Sequence, residues 1–196
     1  IYWSTGQFVL GIYRGSVAIS VYAVAIHLQQ MFMLFSTAIS GVFLPKVTAM
    51  VTKGDDFREV SGLFIRTGRL QYIVIGFILS SFIVFGRPFI VIWAGPAYED
   101  AYVMALLFLV PLAIPLIQSL GIIILQARNR MKFRSLLYLC ISFLSLILSV
   151  SLARVYGGVG CAVATALALL LGQGVIMNVY YHRVQHVDIL KFGCEI

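Results

Sequence analysis

The chain has 196 residues, of which 61% are hydrophobic and 11% charged, and its net charge is +7. With a mean hydropathy of +1.01, it has too few polar residues to cover the surface of a water-soluble globule, so the composition indicates a membrane protein with several spans. The positive charge does not indicate nucleic-acid binding, because the basic residues lie in connections between apolar stretches and form no continuous stripe.

Six apolar stretches follow one another along the chain, and all but the first are long enough to cross a bilayer as helices, which takes about 20 residues. We therefore expect an all-α, polytopic transmembrane helix bundle of about six spans within residues 1–182. The predicted spans are 1–13, 17–45, 69–94, 101–126, 135–154 and 158–181.

Both ends of the chain suggest a longer parent protein. The first stretch begins at Ile1 and is too short to span a bilayer, and residues 183–196 have the character of a cytoplasmic tail leading to a further span. We expect residues before Tyr13 and after Glu195 to be missing from this chain.

The connections between spans alternate in charge. Ten basic residues lie in the second, fourth and sixth connections, whereas the other connections carry only Arg14, Arg87 and Arg154. Short basic loops are retained in the cytoplasm, so the chain is predicted to start on the cytoplasmic side.

The second predicted span has 29 residues, or roughly 43 Å of helix, against about 30 Å of hydrocarbon. It must therefore tilt, bend at Pro45, or protrude. Lys46 is expected to anchor in the lipid headgroups, with a substrate-phosphate ligand as the alternative. The next stretch, about 55–67, places apolar residues on one side and charge on the other, which favours an interfacial helix lying on the membrane.

Pro111 and Pro115 lie four residues apart in the fourth span, where they remove two backbone hydrogen bonds from one helix face. Transporters use such broken helices at hinges and substrate sites. We predict a hinge at these prolines, with a static packing kink as the alternative.

Two later spans carry small residues at helical spacing. In the last span, small residues recur every four positions: Gly160, Ala164, Ala168 and Gly172. A similar face of serines runs along the fifth span. Such stripes permit close helix packing in membranes and do not indicate a substrate.

No catalytic residues, metal ligands or cofactor site are predicted, because all seven acidic residues lie in connections or in the tail. We therefore expect no enzyme activity. The cysteines show no paired spacing. His27 lies within the second span and is a functional candidate by location, but the favoured interpretation is a neutral histidine that is bonded to a neighbouring helix or lies near the outer interface.

Several stretches resemble a known family. They are 11–16 (GIYRGS), 22–24 (YAV), 35–46 (FSTAISGVFLPK), 92–98 (IWAGPAY) with Ala101, and the basic stretch 121–135. Together and in this order they resemble the bacterial polysaccharide or O-antigen flippases of the multidrug/oligosaccharidyl-lipid/polysaccharide exporter superfamily. One departure is Gly6, which stands before Gln7 where many relatives carry Asp.

The resemblance implies that the chain is the second six-helix lobe of a two-lobe exporter in the bacterial plasma membrane. Its partners would be membrane lipid and the missing first lobe, and its substrate an undecaprenyl-diphosphate-linked oligosaccharide moved by alternating access. The residues expected to line the substrate pathway are Gln7, Arg14, Gln29, Gln30 and Gln118.

Two other functions fit the sequence. A drug or metabolite antiporter of the same superfamily would favour carboxylates within the membrane, and the predicted spans contain none. A noncatalytic membrane scaffold would favour extended soluble loops, whereas the connections here are short.

Overall fold

The computed structural model describes residues 6–7, 10–11, 15–53, 57–127 and 132–177, and these residues are helical apart from short turns. Helix is the form in which an apolar span satisfies its own backbone polar groups in lipid. The predicted all-α helical bundle is confirmed, and the chain is a membrane-embedded protein.

Besides the helical residues 6–7 and 10–11, five α-helices and two short elements make up the described part of the chain. The α-helices are α1 (Gly15–Lys53), α2 (Phe57–Trp93), α3 (Ala101–Ile117), α4 (Ser119–Ala127) and α5 (Lys132–Leu169). A single 3-10 turn, Pro96–Tyr98, lies between α2 and α3, and a π-helical segment, Leu170–Ile176, follows α5.

Four helical segments are long and apolar enough to cross a membrane: Gly15–Met50, Gly62–Trp93, Arg134–Ala153 and Gly157–Ile176. Two shorter helices, Ala101–Ile117 and Ser119–Gln126, meet at a bend, and together they are long and apolar enough to form a fifth span. The first predicted span, 1–13, and the predicted tail, 183–196, lie largely or wholly outside the described residues.

Helices α1 and α2 are both longer than a bilayer requires. Their 39 and 37 residues correspond to roughly 58 and 55 Å, so each must protrude or tilt. Helix α1 continues through Pro45 without ending there. The predicted interfacial stretch 55–67 is helical from Phe57 and continues without a break into α2, and its position on the membrane surface stays a prediction.

Helix α3 lies at the centre of the bundle, packed against α1, α2 and α5. Tyr22 of α1 meets Phe108 of α3 edge to face, with ring centroids 5.4 Å apart. This arrangement suits the charge distribution of aromatic rings. Helix α4 packs apart from this core, with Leu120 and Ile124 against Val47 and Phe64 near the adjoining ends of α1 and α2.

Helix α5 consists of two segments, because the chain reverses direction inside it at Gly157. The φ of Gly157, 60°, is unfavourable for residues with a side chain. The two halves then pack antiparallel, since Ile141 faces Gly172 and Ser145 faces Thr165. A Cβ atom at Gly172 would lie 2.1 Å from Ile141 Cδ1. The predicted small-residue stripe is therefore a close-packed face, and all four of its members are buried.

Candidate functional site

A sharp bend in the membrane region lies at the junction between α3 and α4. The two helices meet at an angle of 51°, and Gln118 at the junction has φ −94° and ψ 15°. Pro111 and Pro115 lie inside α3, and the bend follows one turn after Pro115. Since a helix C-terminus leaves its last carbonyl groups without backbone donors, the carbonyls at the end of α3 need partners from elsewhere.

Polar side chains from α1 supply some of these partners. The hydroxyl of Ser36 donates to the carbonyl oxygen of Leu116 over 2.8 Å. The hydroxyl of Ser40, one turn later, bonds to the carbonyl oxygen of Ser36 at 2.7 Å and to the hydroxyl of Ser119. All three serines are buried. Helix α1 therefore holds the broken span through hydroxyl groups, as expected where a helix is interrupted in lipid.

Gln71 of α2 completes this group, and its side chain is fully buried. Its amide nitrogen lies 2.7 Å from the Ser40 hydroxyl and 2.6 Å from the Ser119 hydroxyl. With the amide rotated, its nitrogen would instead donate to the carbonyl oxygens of Ile117 at 2.7 Å and Leu116 at 3.1 Å. We call Ser36, Ser40, Gln71 and Ser119 the serine-glutamine cluster.

The predicted pathway residues do not gather at one place. Gln118 is buried at the junction, and Gln29 is fully buried in the core, where its amide nitrogen lies 2.9 Å from Met33 Sδ. Gln30, by contrast, is exposed on α1, and Gln7 is partly buried. Arg14 lies outside the described residues. The pathway role of these residues stays a prediction.

The exposed face of α1 carries polar side chains among apolar ones, such as Met31 and Leu34, near the middle of its span. His27 and Gln30 are both exposed there and lie three residues apart, so they share one side of the helix. Thr37 is also exposed, but its hydroxyl bonds to carbonyls of its own helix. The exposed faces of α2 and α5 are mainly apolar within their described spans, with residues such as Phe77 and Phe143.

The position of Gly6 explains why an acid is difficult to place there in this structure. Gly6 is buried, and a Cβ atom on it would lie 2.2 Å from the hydroxyl oxygen of Tyr22. An aspartate at this position would require Tyr22 to move. Tyr22 thus fills the space that a side chain at position 6 would occupy.

None of the four members of the serine-glutamine cluster was among the predicted site residues. A sequence signal for them exists, because Ser36 and Ser40 share a face of α1 and Gln71 is a strongly polar residue in an otherwise apolar stretch. Gln118 and Ser119, which follow Pro115 by about one turn in the sequence, lie at the observed break.

Within the described ranges, no group of three or more histidine, cysteine or acidic side chains is placed to hold a metal ion. Comparison of the chain with protein-family models, with curated proteins and with solved structures finds no match.

Proposed function

We propose that this chain is one lobe of a two-lobe exporter that flips an undecaprenyl-diphosphate-linked oligosaccharide across the bacterial plasma membrane. The ordered motifs of the sequence support this proposal. The mechanism requires no covalent chemistry: two lobes rock around a polar cavity and open it alternately to the two sides of the membrane.

The observation that carries the proposal is the exposed pair His27 and Gln30 on α1. A polar side chain that faces hydrocarbon without a hydrogen-bond partner destabilises the protein by about 2–7 kcal/mol. The pair is therefore best explained if this face borders a polar cavity or another protein element. Both groups donate and accept hydrogen bonds, which suits a hydroxyl-rich saccharide.

Lys46 lies further along α1, on a different side of the helix, about 100° around the axis from His27 and about 160° from Gln30. It is exposed, and it follows His27 by 19 residues, or roughly 28 Å along the helix. In the proposed protein it would lie near the cytoplasmic headgroups, where a diphosphate enters. Helix α1 would thus offer a cation near the membrane surface and, on another side and deeper in the span, the hydrogen-bonding groups of His27 and Gln30.

The test uses the full parent protein in proteoliposomes with a fluorescent lipid-linked oligosaccharide. Replacing His27 and Gln30 together with leucine should lower the flipping rate at least tenfold, because an apolar face cannot solvate the saccharide. The matched control is Phe77→Leu on the exposed face of α2, which should flip at the wild-type rate. Equal rates for all three proteins would contradict the proposal.

The same proteoliposomes separate the alternatives. Exchange of a drug or metabolite against an ion, without oligosaccharide flipping, would identify an antiporter. Absence of both transport activities, together with co-purification of oligosaccharide-synthesis enzymes, would identify a scaffold.

A further inference from the structure

The exposed side of α2 combines two arginines with a run of apolar side chains. Arg66 and Arg69 are both exposed and lie three residues apart, so their side chains are neighbours on the helix surface. Leu70, Ile73 and Phe77 follow on the same side and are 46%, 61% and 71% exposed. We call these five residues the arginine stripe.

We propose that the arginine stripe binds an anionic glycerophospholipid of the cytoplasmic leaflet. The lipid phosphate would lie on the two guanidinium groups, and an acyl chain would lie along the three apolar side chains. The spacing of the stripe supports this arrangement, because residues that recur every three or four positions form one continuous side of a helix.

The position of the arginines along α2 matches the depth of a lipid headgroup. No charged residue lies between Leu70 and Gly86, so the apolar part of the span begins directly after Arg69. The predicted topology places this end of α2 on the cytoplasmic side. From Arg69 to Phe77 the helix rises about 12 Å, which is most of the roughly 15 Å of hydrocarbon in one leaflet. The stripe therefore has the length of one phospholipid acyl chain in that leaflet.

The chemistry of the two guanidinium groups favours a lipid phosphate. Arginine presents a planar fork of N–H donors that matches phosphate oxygens, and it stays charged at the membrane surface. A phosphatidylglycerol headgroup brings one negative charge. Phosphatidylcholine brings the same phosphate together with a cation, which the two arginines repel. An anionic headgroup is therefore the better partner for the stripe.

Carboxylates that could compete with a phosphate lie at a distance from the arginines. Among the residues whose side chains the structure describes, the acidic ones are Glu99 and Asp100, and both follow the opposite end of α2. Glu59 precedes Arg66 by seven residues, or roughly 10 Å along the helix, which is further than the spacing of three or four residues at which helical ion pairs form. The charge at this end of the stripe is thus available to a lipid.

The test uses brominated phospholipids, which quench the fluorescence of a tryptophan that they contact. Ile73→Trp is introduced into the full parent protein, with the other tryptophans replaced by phenylalanine. The protein is reconstituted in vesicles of phosphatidylcholine and phosphatidylglycerol with identical acyl chains, of which one or the other is brominated. At an ionic strength of about 0.15 M, charges more than about 8 Å apart are largely screened.

We expect phosphatidylglycerol to bind beside the new tryptophan roughly threefold more tightly than phosphatidylcholine, since each exposed ion pair contributes at most about 1 kcal/mol. Adding Arg66→Gln and Arg69→Gln should bring the ratio of the two affinities to about one. Arg87→Gln, near the opposite end of α2, should leave the ratio unchanged. All three arginines are exposed, so these variants should fold.

Leu139→Trp gives a matched control position on α5. Leu139 is 59% exposed and follows Arg134 by five residues, and the guanidinium of Arg134 donates to the Tyr138 hydroxyl over 3.1 Å. Because this arginine already has a partner, the tryptophan there should show no preference between the two lipids.

Three outcomes would overturn the proposal. The first is equal binding of the two lipids at Ile73→Trp, or a preference that survives the loss of both arginines. The second is an equal preference at Leu139→Trp, which would show a general attraction to the basic surface. The third is displacement of phosphatidylglycerol by an equal concentration of undecaprenyl diphosphate, which would assign the stripe to the transported lipid. The measurements need no transport activity, so their outcome is independent of the proposed flippase function.

Discussion

The hydroxyl of Ser36 donates a 2.8 Å hydrogen bond to the carbonyl oxygen of Leu116, 80 residues further along the chain. This bond connects α1 to the last turn of α3, directly before the helix axis turns by 51°. The break is thus held by a neighbouring helix as well as by the local sequence.

Replacing Ser36 with alanine should destabilise the protein by about 1–3 kcal/mol, because the buried carbonyl of Leu116 loses its side-chain donor. The measurement is equilibrium unfolding in mixed micelles with a denaturing detergent. Thr37→Ala is the matched control: its exposed hydroxyl bonds only to its own helix, so its stability should stay within about 0.5 kcal/mol of wild type. Equal stability of the two variants would show that the Ser36 bond contributes nothing.

Replacing both Pro111 and Pro115 with alanine should slow flipping in the full parent protein roughly tenfold, equivalent to about 1.4 kcal/mol on the barrier. Alanine restores two backbone donors in α3 and stiffens the span just before its break. Membrane insertion and protein abundance should be unchanged, and both are measured alongside flipping. Wild-type transport at equal protein level would make the two prolines packing features.

Replacing Gly172 with alanine should destabilise the protein by about 1–3 kcal/mol, because the new methyl group meets Ile141. Ile141→Ala should restore part of this loss when combined with Gly172→Ala, giving a favourable coupling energy in a double-mutant cycle. Gly174→Ala serves as the control, since its nearest neighbour outside the helix backbone, Ile114 Cδ1, lies at an ordinary 3.9 Å. A simple sum of the two single-mutant effects would contradict the predicted contact.

The predicted topology places Arg66 on the cytoplasmic side and Arg87 outside. Both residues are exposed, so each can be replaced by cysteine in a variant of the parent protein that lacks its native cysteines. An impermeant thiol reagent added to intact cells should label Arg87→Cys and spare Arg66→Cys until the cells are opened. The reverse labelling pattern would invert the topology.

Part of the site follows from the sequence. Pro111, Pro115 and the polar pair Gln118 and Ser119 indicate a break in the fourth span, and the structure has its 51° bend at Gln118. The partners of the break could not be derived in the same way. Ser36 and Gln71 come from two other helices, and their proximity to Ser119 depends on how far each helix is rotated and shifted along its neighbour.

The sequence by itself determined that this protein is an all-α membrane bundle, because long apolar segments partition into lipid and form helices whatever their neighbours are. It also indicated the small-residue face that packs at Gly172. Only the tertiary structure decided that Gln29 lies in the core while Gln30 is exposed. The physical reason is that lipid is as apolar as the interior of a helix bundle, so hydrophobicity does not distinguish a side chain packed against another helix from one that faces the membrane.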